Sequence, residues 1–211
     1  MLENVDITKA VLILRKGGVV AAPTETSYGL IADAMLSRAV KKIFLIKGRS
    51  KMKPLPLIAA SSAMVKKFFF LNKRESGLAK KYWPGPLTIL LKPKKKFPRA
   101  LALGRKKLAV RVSSSRIAAE ISARLGRPIT STSANLSGRN ELYSATAVAA
   151  EFKNKSVKLD MILDGGKLSR RKPSTIIEVQ NGRIIVLRQG PIKFRNWKLE
   201  IGNFRLCLFT H

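Results

Sequence analysis

Val19-Val20-Ala21-Ala22-Pro23-Thr24-Glu25-Thr26-Ser27-Tyr28-Gly29-Leu30 changes character at Pro23. Four small apolar residues without polar alternation read as a strand covered on both faces. Two threonines, Glu25 and Tyr28 then follow within a few residues and Gly29 closes the run. Polar residues gathered at a strand's end commonly face a ligand crevice in an α/β sheet. The same residues also fit a capped turn with Tyr28 as packing.

Working outward, Asp6 can cap a helix over Ile7 to Arg15, with Gly17-Gly18 ending it. Val40, Ile43, Phe44 and Ile46 place a helix over residues 37 to 47. A strand is expected over Leu55 to Ala60, then helices over 61 to 70 and 75 to 82, the second stopped by Pro84-Gly85-Pro86. Leu87 to Leu91 and Leu108 to Val112 read as strands, Ser114 to Leu125 as a helix, and Pro128 to Thr132 as a short strand. A helix over Ala145 to Phe152 and strands over Met161 to Leu163, Thr175 to Val179 and Arg183 to Leu187 complete the set. This alternation implies one α/β domain with a mixed, mostly buried sheet, spanning residues 1–191. A basic tail over residues 192–211, carrying Trp197, Phe204 and Phe209, follows as a docked strand or an arm.

The 211 residues suffice for a core without staples. Cys207 is the single cysteine, so no disulfide forms within the chain, and a reducing, cytoplasmic setting is expected. The start, MLENVDITKA, lacks the apolar core of a signal peptide, and no apolar run nears the roughly 18 residues of a membrane span. Lys+Arg number 42 against 12 Asp+Glu, giving a net charge of +30. Such a field attracts polyanions, and tRNA or double-stranded RNA is a candidate partner. A lysine-rich lineage composition accounts for the charge equally well.

The inventory excludes several chemistries. The one histidine is the last residue, His211, so Ser-His-Asp and Cys-His pairs and His/Cys metal cages have no material. Neither a P-loop nor a dinucleotide-binding glycine pattern occurs. Positioning and electrostatic catalysis by lysine, arginine, hydroxyls and backbone amides remain.

Lys47 and Arg49 stand two residues apart in a turn and can grip adjacent phosphates. In so basic a chain they can equally be a solvated face. Ser131-Thr132-Ser133-Ala134-Asn135-Leu136-Ser137-Gly138 follows a strand and offers hydroxyls and amides to an anion or ribose, or forms an ordinary Ser/Asn turn. Arg111 sits inside the apolar strand Ala109-Val110-Arg111-Val112, where a charge needs a partner or ligand. Ser174 precedes a strand and Arg188 ends one. Trp83-Pro84-Gly85-Pro86-Leu87-Thr88 reads as a rigid, structural corner.

The ordered set resembles the YrdC-like threonylcarbamoyl-AMP synthases from about residue 7 to 191. The set is Pro-Thr-Glu-Thr-x-Tyr-Gly-Leu, Lys-x-Arg, Trp-Pro-Gly-Pro-Leu-Thr, Val-Arg, Thr-Ser-Ala-Asn-x-Ser-Gly, Pro-Ser-Thr-Ile and Leu-Arg-x-Gly. The resemblance implies a single-domain twisted α/β fold, a mixed sheet flanked by helices, with a large basic concave cleft. It implies condensation of ATP, L-threonine and bicarbonate into threonylcarbamoyl-adenylate and pyrophosphate. A separate transferase complex would then carry the group to adenosine 37 of tRNA. By the same resemblance Lys47 and Arg49 hold the triphosphate and carry catalysis. Ser131, Thr132, Ser133, Asn135 and Arg188 hold the nucleotide. Thr24, Tyr28, Arg111 and Ser174 frame the threonine and bicarbonate end. Mg²⁺ comes with ATP, not on a protein metal site. Loss of synthesis without unfolding is expected for Lys47→Ala and Arg49→Ala.

The chain departs from the family pattern at Glu25, where Asp is more usual, and at Ser27, Ser50 and Ser113. Two alternatives stay open. One is a YciO-type paralogue, or RNA-binding protein of the same fold, without threonine-dependent synthesis. The other is a carbamoyl-transfer module, which the single cysteine and short length disfavour.

Overall fold

Asp6 caps α1 (Ile7–Arg15) as its sequence implies, its carboxylate accepting from the Lys9 amide at 2.8 Å. The computed structural model describes residues 6–48, 54–102 and 104–194. Gly17, at φ +79°, turns the chain into β1 (Val20–Pro23). The chain then doubles back as β2 (Tyr28–Ile31), antiparallel to β1 with Pro23 opposite Tyr28. Read from sequence, the strand ends at Pro23 and Tyr28 belongs to the turn. The second strand is paired on both sides, with β1 through the hairpin and with residues 132–133, a hundred positions on, a pairing that no local pattern announces.

α2 (Ser37–Lys47) ends on Gly48 in the left-handed conformation. β3 (Leu57–Ala59), α3 (Ser62–Phe68) and α4 (Lys73–Tyr82) follow, the last opened by a capping box between Asn72 and Glu75. β4 (Leu87–Leu91), a short α5 (Arg99–Ala102) absent from the sequence expectation, and β5 (Leu108–Val112) come next. α6 (Arg116–Leu125) starts two residues later than expected because Ser115 is its cap. The single strand expected over Pro128 to Thr132 is two: β6 (Ile129–Thr130) and β7 (Thr132–Ser133). α7 (Ala145–Phe152), β8 (Met161–Ile162), β9 (Thr175–Gln180) and β10 (Arg183–Arg188) complete the order.

The expected single sheet is two sheets. One has the order β7-β2-β1-β8 and the other β10-β9-β4-β5-β3-β6, both mixed. β1, β3, β4 and β5 are buried at every position, as their largely apolar runs require, with Thr88 and Arg111 buried among them. The larger core packs between the sheets and α2, α3 and α7 through residues such as Val19, Leu30, Ile43, Leu57 and Val148. A second cluster beneath α1 and α6 includes Leu14, Ile58 and Ile121. Full burial of each such side chain contributes roughly 1.5–3 kcal/mol.

Of the tail, Ile192 and Phe194 are described: Thr175 Oγ1 donates to the Ile192 carbonyl, and the Phe194 ring meets Tyr82 edge-on at 5.8 Å. The docked-strand and arm alternatives for the rest lie outside the described residues, as does Arg49.

Candidate active site

Ser131 is the residue between β6 and β7, where the chain leaves one sheet for the other. Its amide donates to the Pro56 carbonyl, and its hydroxyl turns into a cleft of about 770 Å³. Nine of the eleven residues singled out from the sequence line this cleft: Thr24, Lys47, Arg111, Ser131, Thr132, Ser133, Asn135, Ser174 and Arg188. The segments contributing them lie up to 164 positions apart.

Lys47 ends α2 with its side chain 2% exposed. Its ammonium donates to the Ser133 carbonyl at 2.5 Å, the Asn135 carbonyl at 2.7 Å and Asn135 Oδ1 at 3.2 Å. The Lys47 carbonyl in turn accepts from the Ser137 amide. One buried charge therefore gathers the whole Ser-Ala-Asn turn onto the end of α2. Asn135 Nδ2 donates to the Arg139 carbonyl, and Glu151 of α7 accepts from the Leu136 amide at 3.0 Å and from Arg139 Nη1 at 3.2 Å. Glu151 carries no sequence signal, since only the fold brings α7 against this turn.

Arg111 extends from the middle of β5 toward Ser131, donating from Nη2 to Ser131 Oγ at 3.2 Å. The partner that its buried charge requires is Glu25: Arg111 Nε lies 2.8 Å from Glu25 Oε1, both side chains 6% exposed. The contact is ionic only, as neither atom makes a directed hydrogen bond. Glu25 Oε2 accepts from Ser113 Oγ. Two of the four departures from the family pattern, Glu25 and Ser113, are thus in contact with each other.

Arg188, at the end of β10, is held by Ser174. Its Nε and Nη2 donate to the Ser174 carbonyl at 3.0 and 2.9 Å, and Nη2 donates to Ser174 Oγ at 3.0 Å. Ser174 Oγ is also 2.8 Å from Thr88 Oγ1, fully buried in β4. The Trp-Pro-Gly-Pro-Leu-Thr corner, read from sequence as structural, therefore ends on a hydroxyl that supports a cleft arginine. Burial, and then the nearby Arg111 charge, lower the Arg188 pKa to about 10. It stays cationic at neutral pH, and with Arg111 already paired to Glu25 it adds positive charge to the cavity, partly balanced by Glu141.

Thr24 lines the cleft mainly as the clasp of its turn. Its Oγ1 donates to the Ser27 carbonyl at 2.7 Å and accepts from the Thr26 and Ser27 amides. Tyr28 does not line the cleft. Its side chain is fully buried, its hydroxyl donating to the Gly166 carbonyl at 2.9 Å and accepting from the Gly165 amide at 3.0 Å. Burial, first, pushes its phenol pKa up. Because residue 28 starts β2, its side chain falls on the core face of that strand, where it pins the 164–166 segment beneath the cleft.

Along the rim, Arg139, Arg170 and Lys172 add cations, and Glu141 is the one carboxylate among the lining residues. Arg170 lies over the Tyr143 ring at 5.8 Å, and Tyr143 donates to Glu141. Among the described residues, no group of three or more His, Cys, Asp or Glu side chains could hold a metal ion.

A family model described as Sua5/yciO/yrdC, Telomere recombination, matches residues 12–190. A curated threonylcarbamoyl-AMP synthase of Pyrococcus abyssi is 36% identical over 97% of this chain, which spans 60% of that protein's length. A curated threonylcarbamoyl-AMP synthase of Chromobacterium violaceum is 39% identical over 82% of this chain and 88% of its own. The crystal structure of P. abyssi Sua5 complexed with L-threonine superposes with a TM-score of 0.80 at 38% identity, covering 87% of this chain and 54% of that one. E. coli YciO superposes with a TM-score of 0.76 at 30% identity, covering 88% and 89%. With the family model matching residues 12–190 and synthase relatives at 36–39% identity, the chain belongs to the Sua5/YciO/YrdC family.

Proposed function

We propose that this chain condenses L-threonine, bicarbonate and ATP into L-threonylcarbamoyl-adenylate, releasing pyrophosphate, for the threonylcarbamoyl modification of adenosine 37 in tRNA. The observation that carries the reading is that two guanidiniums, Arg111 paired with Glu25 and Arg188 held by Ser174, line the same cleft as the Ser131–Asn135 turn. The threonine carbamate and ATP are both anions, so their alignment needs positive charge and fixed position. The synthase relatives and the threonine-bound P. abyssi structure support ATP and L-threonine as substrates.

In this reading bicarbonate gives up CO₂ to the threonine amine, the hydroxide it loses leaving as water with the amine proton, and an oxygen of the resulting carbamate attacks the α-phosphorus as pyrophosphate leaves. Arg111, paired with Glu25, frames the threonine end through Ser131, Arg188 offsets charge on the adenylate, and the turn gathered by Lys47 receives the nucleotide. Lys47 acts chiefly by fixing that turn. Arg49, two residues on, is the further cation toward the triphosphate. Mg²⁺ would travel on the ATP oxygens, since the cleft lining offers a single carboxylate, Glu141; bound there it neutralises phosphate charge.

Incubation with ATP, bicarbonate and L-threonine, followed by pyrophosphate detection, tests the proposal. Release that requires threonine is expected; release that ignores threonine, or none, overturns it. The superposition on E. coli YciO at a TM-score of 0.76 and 30% identity supports one second reading, a paralogue without threonine-dependent synthesis, and the same assay separates the two.

A further inference from the structure

The strand β4 joins two different surfaces. Its first residue, Leu87, lies opposite Thr175, beside the Ser174 that holds Arg188 in the cleft. Its last residue, Leu91, runs into Lys92, roughly 13 Å away along the strand. At that far end Phe70 is 53% exposed, one of three large hydrophobic side chains so exposed among the described residues.

The setting of Phe70 is rigid. Its amide donates to the Lys92 carbonyl at 2.9 Å, and the Lys94 amide donates to the Phe68 carbonyl at 2.8 Å. Beneath it, Phe68 and Phe69 are buried against Phe97, with Phe69 and Phe97 stacked at 5.4 Å. The exposed ring therefore stands on an anchored segment. The ammonium groups of Lys94 and Lys92 lie 5.2 and 6.0 Å from its centroid. Lys94 is steadied by the Lys66 carbonyl at 2.8 Å.

The charge around the ring has one sign. From Lys66 to Lys96 the chain carries ten Lys+Arg and a single carboxylate, Glu75. Glu75 is buried in its capping box and offers nothing to solvent. Lys66, Lys67, Lys92, Lys94, Lys95 and Lys96 are all exposed, and none of them lines the cleft. An exposed aromatic ring within a field of lysines suits a flexible polyanion that has flat apolar faces. The ring stacks a base, and the ammonium groups take the flanking phosphates. A rigid duplex hides its base faces and cannot use the ring.

We propose that Phe70 with Lys66, Lys92 and Lys94 forms a docking surface for single-stranded polynucleotide, separate from the cleft. The surface does not depend on the synthase reading, since none of its residues belongs to that site.

The test uses fluorescence anisotropy with a labelled 12-nucleotide oligouridylate, a 12-base-pair RNA duplex, and phosphatidylserine-containing vesicles. The expected result is salt-dependent binding of the single strand, weakened roughly tenfold by Phe70→Ala and retained by Phe70→Trp. A Lys92→Gln/Lys94→Gln variant lowers the slope of log affinity against log salt by about 0.7 for each lost contact. Circular dichroism confirms that the variants fold, and the deoxy 12-mer reports whether the sugar is read. A Phe70→Ala variant that binds the single strand like wild type overturns the proposal. So does a preference for duplex or vesicles, or the absence of binding at low salt.

Discussion

Glu25→Gln is the substitution through which the site's construction is most directly tested. Glu25 neutralises Arg111 at 2.8 Å where both side chains are 6% exposed, so its removal leaves a buried guanidinium without its counter-charge. Breaking one partner of a buried pair costs about 3–5 kcal/mol. Glutamine keeps the volume and an accepting oxygen for Ser113 Oγ, which places the cost near about 3 kcal/mol. For a domain of this size that is a fall in Tm of roughly 6–12 °C. Thermal unfolding followed by circular dichroism measures it. Removing the second charge as well, in Glu25→Gln/Arg111→Met, should recover part of the loss, because a buried pair replaced by apolar volume is often neutral. The double-mutant coupling is expected to exceed about 1 kcal/mol. A Glu25→Gln protein that melts within about 1 °C of wild type, or a cycle whose single effects simply add, refutes the assignment of Glu25 as the counter-ion of Arg111.

Thr88→Val keeps shape in β4 but removes the hydroxyl 2.8 Å from Ser174 Oγ. One neutral hydrogen bond is about 1 kcal/mol, so the KM for threonine should rise about fivefold with kcat little changed, and Thr88→Ser should restore it; an unchanged KM assigns Thr88 to packing alone. The lowered pKa of Arg188, about 10, gives a pH prediction with a definite sign. Below that value the guanidinium is charged and attracts anions; as pH rises through it the charge is lost. Pyrophosphate affinity measured by calorimetry should fall more steeply through about pH 10 in the wild type than in Arg188→Gln, whose remaining fall reports the cleft lysines, and identical profiles remove Arg188 from the anion site.

Strand and helix order was largely legible because it depends on neighbours in the chain. The apolar runs at Leu87 to Leu91 and Leu108 to Val112, the Asp6 cap and the Pro84-Gly85-Pro86 stop act within a few residues. Most candidate site residues were legible too, since nine of them line one cleft. Their motifs mark strand ends and turns, which is where the fold opens. Tyr28 is the exception, because a turn residue and the first residue of a strand present different faces. Deciding between them required the pairing of Gly29 with Ser133.

The sequence alone determined the residue types available for chemistry. Without a usable histidine, and with arginines placed inside or beside apolar strands, the site had to work by charge and position. The tertiary structure decided what each charge does. Lys47 is turned onto the carbonyls of Ser133 and Asn135, Glu25 is set against Arg111, and Thr88 stands behind Ser174 and Arg188. Each partnership joins positions 86 or more residues apart. Local propensity carries no term for such distances; a buried charge takes whichever partner the packed core brings within about 3 Å.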